Sequence, residues 1–288
     1  LSFSFDEKCS ESADSKRPYK AVVTKVYDVT GDGGIDMVDV AELFKSGDNA
    51  LTQLNGDGDF RSLECVNLLD EADIVVTNPP FSLFREFVSL IVEHQKNFII
   101  IGNQNAISYE ETFSLMKNNK MWIGASIHSG DRAFFVPDDY PLDAAGCGID
   151  EETGRKYIRV KGVRWFTNLD IKQRHEEMIL VRRYVPDEYP TYVNYNAIEV
   201  AKTSDIPCDY SGEMGVPITF MDKYNPDQFE IIGISRELVR TLSDDVRKNG
   251  AYPQIGRFYL DTGEAKYKKV YERLVIRNKH PEVPKEAQ

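Results

Sequence analysis

Asp73-Ile74-Val75-Val76-Thr77-Asn78-Pro79-Pro80-Phe81 is an apolar run that stops on a polar corner stiffened by two prolines. Ile74 to Val76 is β-branched without alternation, the pattern of a strand covered on both faces. Pro79 and Pro80 cannot donate to a ladder and fix φ, so the strand should end sharply. Asn78 and Phe81 would then stand on a rigid rim at its carboxyl end. In open α/β sheets that rim is where ligands bind.

The segments outward from the corner carry the same architecture. Phe84 to Glu93 places Phe84, Phe87, Val88 and Ile91 on one helical face, and Asn97 to Gly102 is a second continuous apolar run. Strand, helix, strand around one corner predicts a parallel α/β sheet. Asn103-Gln104-Asn105 closes the second strand beside the first rim; it reads as a pocket residue cluster or as a helix cap. Met121–His128 and Arg132–Val136 read as an antiparallel pair closing the sheet. From Tyr157 onward, strands at 157–160, 163–167, 178–181, 218–221, 229–235 and 257–260 follow with few helices, apart from one expected over 238–248. Two domains are drawn on this basis, 1–150 as the core and 151–288 as a β-rich extension.

The corner's residue types suit chemistry on a nucleobase amine. Such an amine is a weak nucleophile because its lone pair is delocalised into the ring. A site that alkylates it must accept its N–H bonds, and Asn78 and the Pro79 carbonyl are acceptors. Phe81 offers a flat face for an extruded base. The same four residues also read as a strand-ending turn with a core phenylalanine.

Composition bounds the alternatives. The chain has 288 residues, 41% hydrophobic and 28% charged. No apolar run is long enough to span a membrane, and the first residues show no signal-peptide pattern. Cys9, Cys65, Cys147 and Cys208 lie far apart, which argues against zinc and disulfides and fits a reducing cytoplasm. The net charge of −12 is unevenly spread. Residues 1–80 hold 16 acidic and 7 basic side chains, while 155–183 hold 9 basic and 3 acidic. A local basic face is what DNA senses within a Debye length of about 10 Å. Solvated strand faces would read the same way.

Asp28 to Asp39 imitates a calcium loop, with oxygen side chains at positions 1, 3, 5, 9 and 12 and glycine at position 6. Position 12 is Asp39 rather than a longer glutamate. The alternative is an acidic glycine-rich turn before a short helix.

Gly56-Asp57-Gly58-Asp59-Phe60-Arg61-Ser62, the corner with Ser82-Leu83-Phe84-Arg85-Glu86, Gly162 to Asp170, and Asp205 to Phe229 together resemble the EcoRI-type adenine-specific DNA methyltransferase family. The resemblance implies a Rossmann-like class I methyltransferase sheet, mostly parallel with an antiparallel closing hairpin, and a β-rich C-terminal region. It implies methyl transfer from S-adenosylmethionine to N6 of a flipped-out adenine in double-stranded DNA, and a possible cognate restriction endonuclease. Asn78, Pro79, Pro80 and Phe81 would hold the base. Asp59 and Phe60 would meet the cofactor adenine, and Asp6 or Glu7 the ribose. Arg159, Lys161, Arg164 and Asn103 would contact DNA. No Gly-x-Gly loop follows a first strand, so the expectation is an amino-terminally incomplete chain, or a partner chain that supplies the cofactor loop. A non-catalytic DNA-binding module on the same fold is the alternative.

Overall fold

The computed structural model describes residues 18–283 except 32, 36, 46, 48, 126–131 and 144. Two compact units divide the chain, residues 1–73 and 74–288. In the first, β1 (Tyr19–Val22) pairs antiparallel with β2 (Ala50–Gln53), with α1 (Met37–Lys45) between them in sequence and α2 (Leu63–Glu71) after them. Ser62 starts α2 by accepting the Cys65 N–H at 3.3 Å, the usual side-chain cap for an orphan amide.

The second unit opens with β3 (Ile74–Thr77), α3 (Phe84–Glu93), β4 (Asn97–Asn103), α4 (Glu110–Lys117) and β5 (Trp122–Ile123). It continues with β6 (Arg132–Phe135), β7 (Cys147–Ile149), β8 (Lys156–Val160) and β9 (Val163–Thr167). One sheet has the order β3-β4-β9-β5; its first pairing is parallel and the other two antiparallel. The α/β class is as expected, but this sheet is mixed rather than mostly parallel. The closing pair is also different: β5 joins β9, whereas β6 joins β8 in a separate sheet of order β6-β8-β7. The boundary drawn at residue 150 falls within the β7–β8 hairpin of that second sheet.

The strand β3 is not buried on both faces: Ile74 is 47% and Val76 66% exposed. Cover is a long-range property, and β3 lies at the edge of its sheet among the described residues. Its neighbour β4 does alternate, with Phe98, Ile100 and Gly102 buried. Their face carries the α3 residue Phe84, whose ring sits 5.2 Å from that of Phe166 on β9. A Cβ at Gly102 would come within 2.5 Å of the Phe84 ring and 2.9 Å of the Phe166 ring. Only glycine admits both aromatics there, and that packing anchors the start of α3, just after the corner, onto β4.

Beyond β9 come β10 (Ile198–Glu199), β11 (Met214–Pro217), β12 (Phe229–Ile234), α5 (Ser235–Leu238), α6 (Asp244–Asn249), β13 (Tyr259–Asp261), β14 (Tyr267–Lys269) and β15 (Arg273–Asn278). A sheet of order β10-β11-β15-β12 and the β13–β14 hairpin make this region β-rich. Three expectations differ. Ile218–Lys223 is a 3-10 helix entered from Pro217, not a strand. The helix expected over 238–248 is split, because Ser243 caps a new start by accepting the Val246 N–H at 3.3 Å. Residues 178–181 form no strand. No helix among the described residues is long and apolar enough to cross a membrane.

Candidate active site

β3 delivers Asn78 to the end of the parallel pair, in register with β4 through Thr77 opposite Ile100. Pro79 is buried while Asn78, Pro80 and Phe81 are exposed. The corner is braced at once, since Leu83 N–H donates to the Pro80 carbonyl at 2.9 Å and a 3-10 turn over Phe81–Leu83 runs straight into α3. Asn78 makes no side-chain hydrogen bond to any described residue, so both ends of its carboxamide are available. Phe81 keeps 39% of its surface exposed, unlike the buried Phe84 three residues on. The prolines end the strand as the turn reading expects, but Phe81 is not the core residue of that reading; the ending leaves an acceptor and an exposed ring at the rim.

Asn103 lies on the same rim at the end of β4. Its Oδ1 accepts the Asn105 N–H at 2.9 Å and caps the following 3-10 turn. The cap is that of the 3-10 turn and not of α4, whose N-cap position is Tyr109 with no side-chain hydrogen bond. Gly162, which leads into β9, accepts a backbone hydrogen bond from Gln104 at 2.5 Å, so the loop before β9 is tied to this rim too.

Arg164 corrects an expectation. It is 3% exposed and forms a two-pronged ion pair with Asp222, Nε to Oδ1 at 2.9 Å and Nη2 to Oδ2 at 3.1 Å. Its Nη1 donates to the Val163 carbonyl at 3.0 Å. A buried guanidinium gripping a carboxylate from the 218–223 turn does not face phosphates. Arg159 and Lys161 are exposed and remain free to do so. Sequence reasoning missed Asp222 because its partner is 58 residues away. It also missed Asn168, whose carboxamide accepts the Phe98 N–H at 2.9 Å and donates to the Lys96 carbonyl at 3.0 Å, locking the start of β4.

Asp59 and Phe60 belong to the first unit. The Asp59 carboxylate accepts from the Arg61 backbone N–H at 2.8 Å and from the Arg61 guanidinium at 2.7 Å and 3.0 Å. The Arg61 side chain, then its N–H, hold that carboxyl down at about 2, so it is ionised at neutral pH. Arg61 also lies 5.3 Å over the Phe60 ring. An ionised acceptor next to a half-exposed aromatic ring fits the adenine end of a nucleoside cofactor, provided Arg61 yields its hold. Asp6 and Glu7 lie outside the described residues.

Of the acidic loop, Asp32 and Asp36 lie outside the described residues, while Asp28 and Asp39 are engaged by its own backbone. Asp28 accepts from the N–H groups of Gly31 at 2.6 Å and Gly33 at 2.9 Å. Asp39 is buried and accepts from Val29 and Thr30 at 2.9 Å and 3.0 Å. Both carboxylates close the turn, and no group of three possible metal-ligating side chains occurs among the described residues.

Comparison with known proteins adds to this geometry. The family described as "Adenine-specific methyltransferase EcoRI" matches residues 2–279. The chain is 49% identical over 187 residues to the Type II methyltransferase M.EcoRI of Escherichia coli, covering 64% of this chain and 57% of that protein. It is 38% identical over 229 residues to the Type II methyltransferase M.MpnI of Mycoplasma pneumoniae, covering 78% and 70%. The corresponding protein M.MgeORF184P of Mycoplasma genitalium is 36% identical over 230 residues, covering 78% and 71%. The chain thus spans little more than half the length of the first of these relatives. No solved structure matches it.

Proposed function

The chain belongs to the EcoRI adenine-specific methyltransferase family, and from that premise we propose that it methylates the N6 amine of an adenine extruded from double-stranded DNA. The observation that carries this reading is the unpartnered Asn78 carboxamide beside exposed Phe81 on a proline-braced strand end. Asn78 Oδ1 and the Pro79 carbonyl accept the two N–H bonds of the target amine. Accepting both draws electron density back onto nitrogen and orients its lone pair, a contribution of positioning and hydrogen-bond polarisation. Phe81 stacks on the purine and replaces the neighbours lost on extrusion.

S-adenosylmethionine supplies the electrophilic methyl group when bound. Asp59 would accept the amine of its adenine and Phe60 would pack against that ring. We read β3, β4, β9 and β5 as part of the Rossmann-like sheet of the family. Arg159, Lys161 and the amide of Asn103 are the proposed DNA contacts of the rim. A restriction endonuclease blocked by the same methyl group is the partner class that Type II modification implies.

The hold of Arg61 on Asp59 favours one second reading, a DNA-binding module that takes no cofactor. Incubation with methyl-labelled cofactor and unmethylated DNA separates the two. Label should enter DNA; cofactor binding without transfer defeats the proposal, and DNA binding without cofactor binding supports the second reading.

A further inference from the structure

The sheet β6-β8-β7 carries a feature that neither the family nor the corner explains. Register places Phe135 opposite Tyr157 and Ala133 opposite Arg159, with Gly148 opposite Tyr157 on the other side. Side chains two apart on a strand share a face, so Tyr157 and Arg159 stand together, and Arg155, the residue before β8, joins them beside Phe135. Contacts agree: the Arg155 guanidinium lies 4.1 Å over the Phe135 ring, and that of Arg159 lies 5.5 Å over the Tyr157 ring. Tyr157 spreads over Gly148, where a Cβ would meet its hydroxyl at 2.7 Å. The result is a ladder of arginine, phenylalanine, tyrosine and arginine.

This face is unusual for a free surface. Phe135 is 48% exposed, and both arginines are exposed with no ion pair among the described residues. The nearby acid Asp150 is engaged within its own turn, accepting from Thr153 N–H and Oγ1 at 2.8 Å and 2.7 Å. The other basic residue of β8, Lys156, points away and braces the carbonyls of Asp138 and Tyr140. Stacking on a ring leaves the outer N–H edge of a guanidinium open to an anion. The exposed Phe135 ring and the half-buried Tyr157 ring, interleaved with such cations, suit a charged backbone bearing flat bases.

The ladder's position identifies the occupant. β8 passes through Lys161 and Gly162 directly into β9, and Gly162 is bonded to Gln104 at the rim that holds Asn78 and Asn103. We infer that the Arg155–Phe135–Tyr157–Arg159 ladder grips the DNA next to the extruded base, its arginines on phosphates and its rings against the unstacked neighbour. The inference rests on reading that rim as a base-extruding site.

The test measures binding of the chain to a short random-sequence duplex across a range of salt. The variant Arg155→Ala/Arg159→Ala should bind at least about tenfold more weakly and lose about two units of the log–log salt slope, near one per phosphate contact. Unchanged affinity and slope in this variant overturn the ladder. A second measurement needs no variant: a duplex pool substituted with 5-iododeoxyuridine should photocrosslink to Phe135 or Tyr157, and crosslinks mapping only elsewhere overturn it. If the double variant loses binding while the unaltered chain transfers no methyl group, the ladder stands and the enzymatic reading falls. If the unaltered chain methylates DNA and the variant binds normally, the reverse holds.

Discussion

Asn78 and Arg164 are both polar residues at or near strand ends of one sheet, and they have opposite fates. Asn78 is exposed with no side-chain partner among the described residues. Arg164 is buried and gripped by Asp222. Both belong to segments that match the family, so motif membership does not distinguish them. The partner does: a side chain whose hydrogen bonds are already satisfied by the fold holds the fold, and one left open at a braced rim can hold a ligand.

That contrast breaks if the two residues behave alike on substitution. Asn78→Ala should lower methyl transfer by about 10²- to 10³-fold, the scale of losing one donor or acceptor aimed at the reacting group. Its unfolding free energy from urea titration should stay within about 0.5 kcal/mol of the parent, as for exposed sites without partners. Arg164→Ala should do the reverse in kind, costing about 3–5 kcal/mol in urea unfolding because it breaks the two-pronged ion pair with the nearly covered Asp222 carboxylate. Activity lost in that variant should return under conditions that restore folding.

Smaller effects sharpen the account of how the corner is held. Gly102→Ala forces a methyl group against Phe84 and Phe166, and overpacking of this kind costs about 1–3 kcal/mol. Thermal unfolding would measure it, and an unchanged midpoint would deny that this packing fixes the corner. The smallest effect concerns His175, which lies 2.8 Å from Asp170 and 3.2 Å from Asp227. The Asp170 hydrogen bond, then that of Asp227, raise its pKa above the ordinary imidazole value. A raised folded pKa adds stability that is fully present below the unfolded value near 6.5 and is lost as pH climbs through the folded value. His175→Ala should therefore destabilise slightly at pH 5.5 and not at pH 9, in paired urea titrations.

Local pattern carried much of this architecture and long-range pairing carried the rest. The helix at Phe84–Glu93 appears where its apolar spacing placed it, and β4 follows its unbroken apolar run. The corner was legible because proline acts locally on φ and on the ladder. The exposure of β3 was not, because a β-branched run reads the same at the edge and the centre of a sheet. The burial of Arg164 depended on an aspartate 58 residues downstream. The aromatic–arginine ladder depended on register between β6 and β8, which no single stretch displays. Pro217 and Ser243 did carry local signals, a stop before 218–223 and a cap inside 238–248. The apolar content around them masked both.

The central claim is that the Asn78 corner presents the N6 amine of an extruded adenine for methylation. Unmethylated DNA incubated with the chain and S-adenosylmethionine, then digested to nucleosides and resolved by mass spectrometry, tests it directly. N6-methyladenine formed by the parent and nearly absent with Asn78→Ala is the expected result. A methyl group found on another base, or N6-methyladenine made equally well by Asn78→Ala, would contradict it.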